Sequence, residues 1–126
     1  MQHILVVDDE VGIRELLSEI LADEGYKVEL AQNATEARAR RQEARPDLVL
    51  LDIWMPETDG ITLLKEWAEQ ELLTMPVVMM SGHGTIETAV EATRIGAVDF
   101  LEKMAPFTKI RLVFSHVKLI LSLEGT

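Results

Sequence analysis

The sequence predicts an α/β fold in which a parallel sheet is covered by helices on both faces. Three runs of bulky apolar residues indicate it, at positions 4–7, 48–51 and 77–80. Continuous apolar runs of this length are typical of strands buried on both faces, and such strands belong to parallel sheets. Between the runs, apolar residues recur at helical spacing, as the crossover connections of a parallel sheet require.

The first predicted helix follows the strand at 4–7 and ends near Glu24. Gly25 marks its end, because glycine readily adopts the left-handed conformation that closes many helices. Val28 and Leu30 then alternate with polar neighbours in a short strand. Five apolar residues at helical spacing define the helix: Ile13, Leu16, Leu17, Ile20 and Leu21.

The second helix is polar and rich in arginine. Asn33 and Glu36 have the spacing of a capping pair, which predicts where this helix starts, and it runs to about Ala44 before Pro46 interrupts it. We interpret its basic residues as a solvated helix face. They are Arg38, Arg40, Arg41 and Arg45.

The second half of the chain continues the alternation. Asp59 and Gly60 open a third helix, Pro76 precedes the strand at 77–80, and Gly96 closes a fourth helix. Val98, Phe100 and Leu101 form the fifth strand, and a last helix begins at about Phe107. The apolar residues of these three helices are Ile61, Leu64, Trp67 and Ala68; then Ile86, Ala89, Val90 and Thr93; then Ile110, Val113, Phe114, Val117, Ile120 and Leu121.

The order of the strands follows from their composition. Strands one, three and four are unbroken apolar runs, which places them in the sheet centre, while strands two and five alternate and fit the edges. With right-handed crossovers this gives the order 2-1-3-4-5 with five helices, the flavodoxin-like doubly wound arrangement. Its switch point, where ligands bind, lies between strands one and three.

Composition restricts the possible functions. With 126 residues and a formal net charge of −10, the chain should form one acidic domain. Nucleic-acid affinity comes mostly from basic surfaces, so we expect no DNA contact by this domain. Cysteine is absent, which excludes disulfides and thiolate catalysis, and His3, His83 and His116 lack metal-ligand spacing. We find no signal peptide and no apolar run that could cross a bilayer, so we expect a cytoplasmic protein without membrane contact.

Three carboxylates follow the predicted central strands. Asp8 and Asp9 come after the first strand, and Asp52 ends the third. Because the carboxyl ends of parallel strands face the ligand crevice, these acids should converge there. Carboxylates at such short distances from one another repel and require a cation between them. Mg²⁺ suits this place, because its ligands are carboxylates, waters and substrate phosphates. The pattern favours Mg²⁺-assisted phosphate chemistry.

Four segments together resemble a known family. They are residues 7–10, residues 51–56 with Asp59 and Gly60, residues 81–84 and residues 100–103. In this order and spacing they resemble the receiver domains of two-component response regulators over nearly the whole chain. Residues 81–90 are most similar to receivers of the nitrogen-regulation class, which usually precede an ATPase domain that activates σ54 polymerase and a DNA-binding domain.

The resemblance implies a phosphoacceptor and a metal site. Asp52 would accept a phosphoryl group from the phosphohistidine of a sensor histidine kinase. Mg²⁺, or Mn²⁺, would be held directly by Asp9 and Asp52, through water by Asp8, and by the main-chain carbonyl of Trp54. Trp54 and His83 would lie at the rim of the site.

The same resemblance implies a set of phosphoryl-binding groups. Lys103 would pair with the phosphoryl oxygens, and Ser81 would donate its hydroxyl to one of them. The backbone N–H groups of Ile53 and Gly82 would complete an anion cradle. Ser81 and Phe100 would act as the switch residues.

Other functions remain open at this point. Each acid alone fits a cap or turn, and Lys103 alone fits a solvated surface position. A phosphatase that forms an aspartyl-phosphate would need a second acid two residues after Asp52, where this chain has Trp54. A pseudo-receiver that only binds proteins would not need Lys103 and all three acids. We therefore expect a signalling domain that phosphorylates and dephosphorylates itself, not an enzyme that turns over substrate.

The last helix carries a second apolar stripe. Leu112, Leu119 and Leu123 are offset from the core-facing set, and exposed stripes usually mark a covering partner. We predict a homodimer through the fourth helix, the fifth strand and the last helix. The receiver domain is predicted to span 1–123, and residues 124–126 form a tail that could stem from cloning.

The chain departs from its family after the site lysine. Receivers typically have a proline there, joined by a cis peptide bond, whereas Lys103 is followed by Met104. Either methionine has replaced that proline, or Met104 and Ala105 are an insertion and Pro106 with Phe107 supplies the usual pair two residues later. A cis bond costs roughly 2.5–4 kcal/mol before methionine and about 0.5–1 before proline. We therefore predict a trans bond, and a Lys103 that points less reliably at Asp52 before phosphorylation.

Overall fold

Five strands and five helices alternate along the described part of the chain. A computed structural model describes residues 2–82, 86–103 and 107–124, without the side chains of residues 107–111, 113, 114, 117 and 124. The elements are β1 His3–Val7, α1 Val11–Asp23, β2 Lys27–Ala31, α2 Ala34–Glu43, β3 Leu48–Asp52, α3 Gly60–Glu69, β4 Val77–Ser81, α4 Ile86–Ile95, β5 Asp99–Glu102 and α5 Phe107–Glu124. The last helix thus includes the first residue of the predicted tail.

All strand pairs are parallel, and the sheet has the order β2-β1-β3-β4-β5. The predicted doubly wound fold is therefore confirmed. In the register of β3 and β4, Asp52 lies opposite Met80, and in that of β4 and β5, Ser81 lies opposite Glu102. Asp52 and Ser81 consequently end neighbouring strands at the same edge of the sheet.

Two hydrophobic clusters cover the two faces of the sheet. One joins alternate residues of β1, β3 and β4 to α2, α3 and α4 and includes the fully buried Trp67. The other joins the remaining strand residues to α1 and α5 through Leu17, Leu21 and Leu121. Full burial of a large apolar side chain contributes roughly 1.5–3 kcal/mol. Because both faces are covered, β3 and β4 are buried along their whole length.

The predicted helix boundaries are supported by capping contacts. The Asn33 side chain accepts a hydrogen bond from the backbone of Glu36 at 2.9 Å, and the Glu36 carboxylate accepts one from the backbone of Gln32 at 3.1 Å. Gly25 and Gly96 have φ values of +91° and +141°, which L-residues rarely adopt. These positions end α1 and α4, as predicted.

The buried faces of α1 and α4 differ in part from the predicted apolar sets. Ile86 is 84% exposed and Val90 44%, whereas Ala92 is buried against the core. A small residue on the inner face lets α4 lie close to the sheet. Leu16 on α1 is also exposed. Helical spacing shows which residues share a face of a helix. Where a helix has two apolar faces, spacing alone does not show which of them is buried against the sheet.

The arginines of α2 and Arg45 just after it remain at the surface, as predicted, with Arg38 38% and Arg40 44% exposed, but they also make specific contacts that were not predicted. Their guanidinium groups reach across to α3 and to the connection between α3 and β4. Arg38 donates to the Glu66 carboxylate, Arg41 to the carbonyl of Leu72, and Arg45 to the hydroxyl and carbonyl of Thr74; Arg40 pairs with Glu29 on β2. The acceptors of Arg38, Arg41 and Arg45 lie 28, 31 and 29 residues away, so local sequence patterns do not reveal them.

The second apolar stripe on α5 is exposed, as predicted. Leu112, Leu119 and Leu123 are 70%, 59% and 72% exposed, while Leu121 is buried and Ile120 partly buried. The side chains of the other predicted core residues of this helix, Ile110, Val113, Phe114 and Val117, lie outside the described set. In the described residues, no helix combines the length and apolar character that a membrane span needs.

Candidate functional site

Two buried carboxylates lie side by side at the carboxyl edge of the sheet. Asp8 follows β1 directly and Asp52 is the last residue of β3, and both side chains are completely buried. The backbone N–H of Asp8 donates to the carbonyl of Ala31 at 3.0 Å, which extends the pairing of β1 with β2. The sheet itself therefore holds both acids in place.

Lys103 joins these acids from the end of β5. Its backbone N–H donates to the carbonyl of Ser81 at 2.9 Å, which continues the pairing of β5 with β4. Its ammonium lies 2.9 Å from Asp52 Oδ2, 3.0 Å from Asp8 Oδ2 and 3.1 Å from Glu10 Oε1. The bond to Met104 lies outside the described residues.

The expectation that Lys103 would be poorly aimed without the family's proline is wrong. The side chain is only 8% exposed and forms a direct ion pair with Asp52. The physical reason is that the strand pairing with Ser81 fixes the backbone of Lys103, and the surrounding carboxylates attract its charge. A proline after the lysine is therefore not needed for this orientation.

Asp8, Asp52 and Lys103 shift one another's pKa values. Burial raises the pKa of Asp52 to about 7; the hydrogen bond with Lys103 opposes the increase, and the charge of Asp8 adds to it. Burial also raises the pKa of Asp8. For Lys103, burial works to lower the pKa, but hydrogen bonds with Asp52 and Asp8 outweigh it, so the pKa lies above its ordinary value. A further cation in the pocket would favour the charged form of Asp52.

A group of three acids beside this pair has the spacing of a metal site. One oxygen each from Asp8, Asp9 and Glu10 lies within 4.8 Å of the others. Asp8 Oδ2 is buried and, among the described residues, accepts no hydrogen bond, although Lys103 lies near it. An oxygen-rich set of this spacing, with one fully buried carboxylate in it, fits Mg²⁺ or Mn²⁺. The Asp52 carboxylate belongs to the same pocket, since Asp9 acts on its pKa through a side-chain contact.

Glu10 was not predicted as a site residue. It is 61% exposed, follows the two aspartates and pairs with Lys103 at 3.1 Å. Its position in the acidic run was the available signal. Its contact with a lysine 93 residues away could not be derived from that run.

The loop from β3 to α3 wraps closely around the acceptor. The N–H of Gly60 donates to the carbonyl of Ile53 at 2.7 Å. A Cβ atom on Gly60 would lie 2.1 Å from the carbonyl oxygen of Asp52, so a larger residue does not fit without a shift. Trp54, which was predicted to lie at the mouth of the site, is 58% exposed two residues after Asp52.

One predicted donor is engaged elsewhere. The N–H of Ile53 donates to the carbonyl of Met80 at 2.9 Å, because β3 continues to pair with β4 one residue beyond Asp52. Ile53 is therefore not the free cradle donor that the sequence suggested. The N–H of Trp54 instead faces the acceptor and donates to Asp52 Oδ1 at 3.3 Å.

The remaining predicted residues lie around the same edge. Ser81 is fully buried at the end of β4, and Gly82 is exposed directly after it. Phe100 on β5 is partly buried against the core of the α2–α4 face. His83 lies outside the described residues.

A doubly wound sheet of this order, with acids and one lysine at its carboxyl edge, defines a receiver type of signalling domain. The response regulator receiver domain family matches residues 4–114, and the chain belongs to this family. Its relatives include the nitrogen assimilation regulatory protein NtrX of Azorhizobium caulinodans, 49% identical over 116 residues, with 90% of this chain and 25% of the relative covered. The regulatory protein AtoC of Escherichia coli is 38% identical over 124 residues, with 98% and 27% covered.

Solved structures agree with this assignment. The receiver domain of NtrX from Brucella abortus superimposes with a TM-score of 0.80 at 49% identity, covering 90% of this chain and 95% of that chain. The chain spans only about a quarter of the length of the curated relatives NtrX and AtoC.

Proposed function

We propose that Asp52 accepts a phosphoryl group from the phosphohistidine of a sensor histidine kinase. The observation that carries this proposal is the direct contact of the buried Asp52 carboxylate with Lys103 at 2.9 Å, beside the acids that follow β1. Phosphoryl transfer depends mainly on positioning and on cations around the transferred group. This pocket supplies a nucleophile, a fixed ammonium and carboxylates that suit a divalent cation.

In the proposed reaction, an oxygen of Asp52 forms a bond to phosphorus as the phosphorus–nitrogen bond of phosphohistidine breaks. The electron pair of the broken bond returns to the imidazole nitrogen, and the product is an aspartyl-phosphate. Lys103 stays charged, because its pKa is raised, and pairs with a phosphoryl oxygen. The Trp54 N–H is placed to donate to another oxygen, in the role that the sequence assigned to Ile53.

A divalent cation fits beside these groups. Asp9 and Asp52 would hold Mg²⁺ directly, Asp8 would hold it through water, and the carbonyl of Trp54 would complete the set. When bound, the ion neutralises the charge that develops on the phosphoryl oxygens. The protein contributes the rigid arrangement of the acids at the ends of two strands.

The test is the mass of the intact protein after incubation with Mg²⁺ and acetyl phosphate. We expect one phosphate adduct on the unmodified protein and none on Asp52→Asn, and Asp9→Ala should suppress the adduct as well. Asp59→Asn is the matched control: it removes a carboxylate from the same loop, but asparagine caps α3 equally well. A full adduct on the Asp52→Asn protein would overturn the assignment.

Phosphorylation is further proposed to act through Ser81 and Phe100. Ser81 would donate its hydroxyl, and Gly82 its N–H, to the phosphoryl group, while Phe100 would turn inward from its partly buried position on β5. Such a shift biases two existing arrangements of one surface. Ser81→Ala should therefore leave some phosphorylation and weaken the response that follows it.

The output surface proposed for this switch is formed by α4, β5 and α5, through which two copies would associate. Ile86, Val98, Leu112 and Leu119 are exposed apolar residues on these elements or beside them. An association of this kind would suit regulators of transcription such as the relatives named above. If Leu112→Glu with Leu119→Glu leaves the sedimentation of the beryllofluoride-treated protein unchanged, this surface is not the interface.

A further inference from the structure

Arg38 on α2 connects two elements near the acceptor. Its Nε and Nη2 atoms each donate to the carboxylate of Glu66 on α3 at 2.9 Å, so the guanidinium is held by two parallel hydrogen bonds. The same Nη2 donates to the hydroxyl of Thr58 at 3.3 Å. Thr58 belongs to the β3–α3 loop, which leads directly away from Asp52.

The segment between Asp52 and Thr58 is short and stiff. Glu57 has a φ of +69°, which is unusual for a residue with a side chain, and the N–H of Thr58 donates to the carbonyl of Pro56 at 2.8 Å. Proline fixes its own φ, so the turn has little freedom to absorb a displacement. A movement of Thr58 is therefore transmitted toward Trp54, whose N–H contacts Asp52 Oδ1.

The Arg38–Glu66 pair is well suited to fix a neighbour. Hydrogen bonding to Glu66 raises the pKa of Arg38, and the same contact lowers the pKa of Glu66, so both groups keep their charge. Bidentate arginine–carboxylate pairs define the orientation of the guanidinium plane. Both side chains are about one third exposed, and pairs in such positions contribute little to stability. The Arg38–Glu66 pair therefore acts mainly by orienting the guanidinium group of Arg38 and contributes little to the free energy of unfolding.

We propose that Arg38 is a positioning residue that, held by Glu66, fixes Thr58 and thereby the loop that carries Trp54 to the metal and phosphoryl site. This inference rests on the proposed function, because it concerns the same site. It assigns to α2 a role in setting the affinity for the divalent cation, although no residue of α2 belongs to the acidic pocket.

The test is the dissociation constant for Mg²⁺, measured with the full chain by the fluorescence of Trp54, the exposed tryptophan beside the site. Substitutions in the surroundings of metal ligands typically cost about 10–100-fold in affinity; Arg38 is further from the ion, so we expect Arg38→Gln and Thr58→Val each to weaken binding by about 3–10-fold. The double variant should be no weaker than the single ones, since both changes break one connection. Thr58→Ser should restore binding to within about twofold.

Arg40→Gln is the matched control, because Arg40 lies on the same helix but pairs with Glu29 on β2. It should leave the Mg²⁺ affinity unchanged. If Arg38→Gln unfolds, Thr58→Val still tests the connection, because valine has nearly the shape of threonine and replaces only the hydroxyl group with a methyl group.

Two failures can be distinguished. If Asp9→Ala removes Mg²⁺ binding but Arg38→Gln and Thr58→Val bind like the unmodified protein, the positioning role is refuted and the proposed function stands. If Asp9→Ala leaves Mg²⁺ binding intact, the proposed metal site itself is wrong.

Discussion

Replacement of Gly60 by alanine should destabilise the protein and weaken its acceptor site. The new Cβ would lie 2.1 Å from the carbonyl oxygen of Asp52, 2.9 Å from its carbonyl carbon and 3.0 Å from Cα of Ile53. Since real Cβ contacts are essentially never under 3.0 Å, the backbone must open by about 0.9 Å at this point. All three atoms belong to the main chain, so no side chain can rotate to relieve the contact.

The magnitude follows from two opposing effects. Insertion of a methyl group into a packed region costs about 1–3 kcal/mol. Replacement of glycine by alanine also stabilises the protein by about 0.4–1 kcal/mol, because it lowers the conformational entropy of the unfolded chain. We therefore expect a net loss of up to about 2.6 kcal/mol, with a central value of about 1.3 kcal/mol, in the free energy of unfolding. Part of the displacement falls on Asp52, and the phosphate adduct should form more slowly as well.

The assay is urea unfolding followed by fluorescence, together with the rate of adduct formation from acetyl phosphate. Gly12→Ala is the matched control, since Gly12 lies in the first turn of α1 and a Cβ there would contact nothing within 4 Å. That variant should be more stable by about 0.4–1 kcal/mol. If Gly60→Ala proves as stable and as reactive as Gly12→Ala, the close packing of the β3–α3 loop on Asp52 is not a constraint.

Three further outcomes are expected. Arg38 lowers the pKa of Glu66, so the ion pair stabilises the protein above pH 4.5, the ordinary pKa of a glutamate, and this stabilisation is lost as the pH falls through the lower pKa of the folded state. Glu66→Gln should therefore have a lower urea midpoint than the unmodified protein at pH 7 and the same midpoint in acid. A difference that persists in acid would contradict this. Mg²⁺ at a hundred times its dissociation constant should raise the free energy of unfolding by about 2.7 kcal/mol in calorimetry, an effect that Asp9→Ala should abolish. Asn33→Ala should cost about 1 kcal/mol through the lost cap of α2, whereas Asn33→Asp should cost little; equal losses would contradict the capping role.

The fold could be predicted because its signals are local. An unbroken apolar run such as Val77 to Met80 requires burial on both faces, and glycines such as Gly25 and Gly96 end helices through their own backbone freedom. The convergence of Asp8 and Asp52 then follows from the geometry of parallel strands alone. These properties belong to single segments or to general rules of sheet topology.

The contacts that were missed all depend on distant partners. The hydrogen bonds of Arg38, Arg41 and Arg45 were not predicted because their acceptors lie on α3 and beyond it. The Ile53 N–H bonds to Met80 because the pairing of β3 with β4 extends one residue past Asp52. The sequence does not show at which residue such pairing ends. Lys103 was misjudged because its orientation is set by strand pairing with Ser81.

The placement of β2 and β5 at the edges of the sheet protects this chain against aggregation. An edge strand offers unpaired backbone groups to other molecules, and charged side chains discourage such pairing. β2 carries Lys27 and Glu29, and the four-residue β5 carries Asp99 and Glu102, whereas the uncharged runs of β3 and β4 lie inside. Detachment of β5 would uncover β4, a strand of four apolar residues and a serine. The strand that carries the proposed switch residue Phe100 thus also covers the edge of β4, the apolar strand next to it.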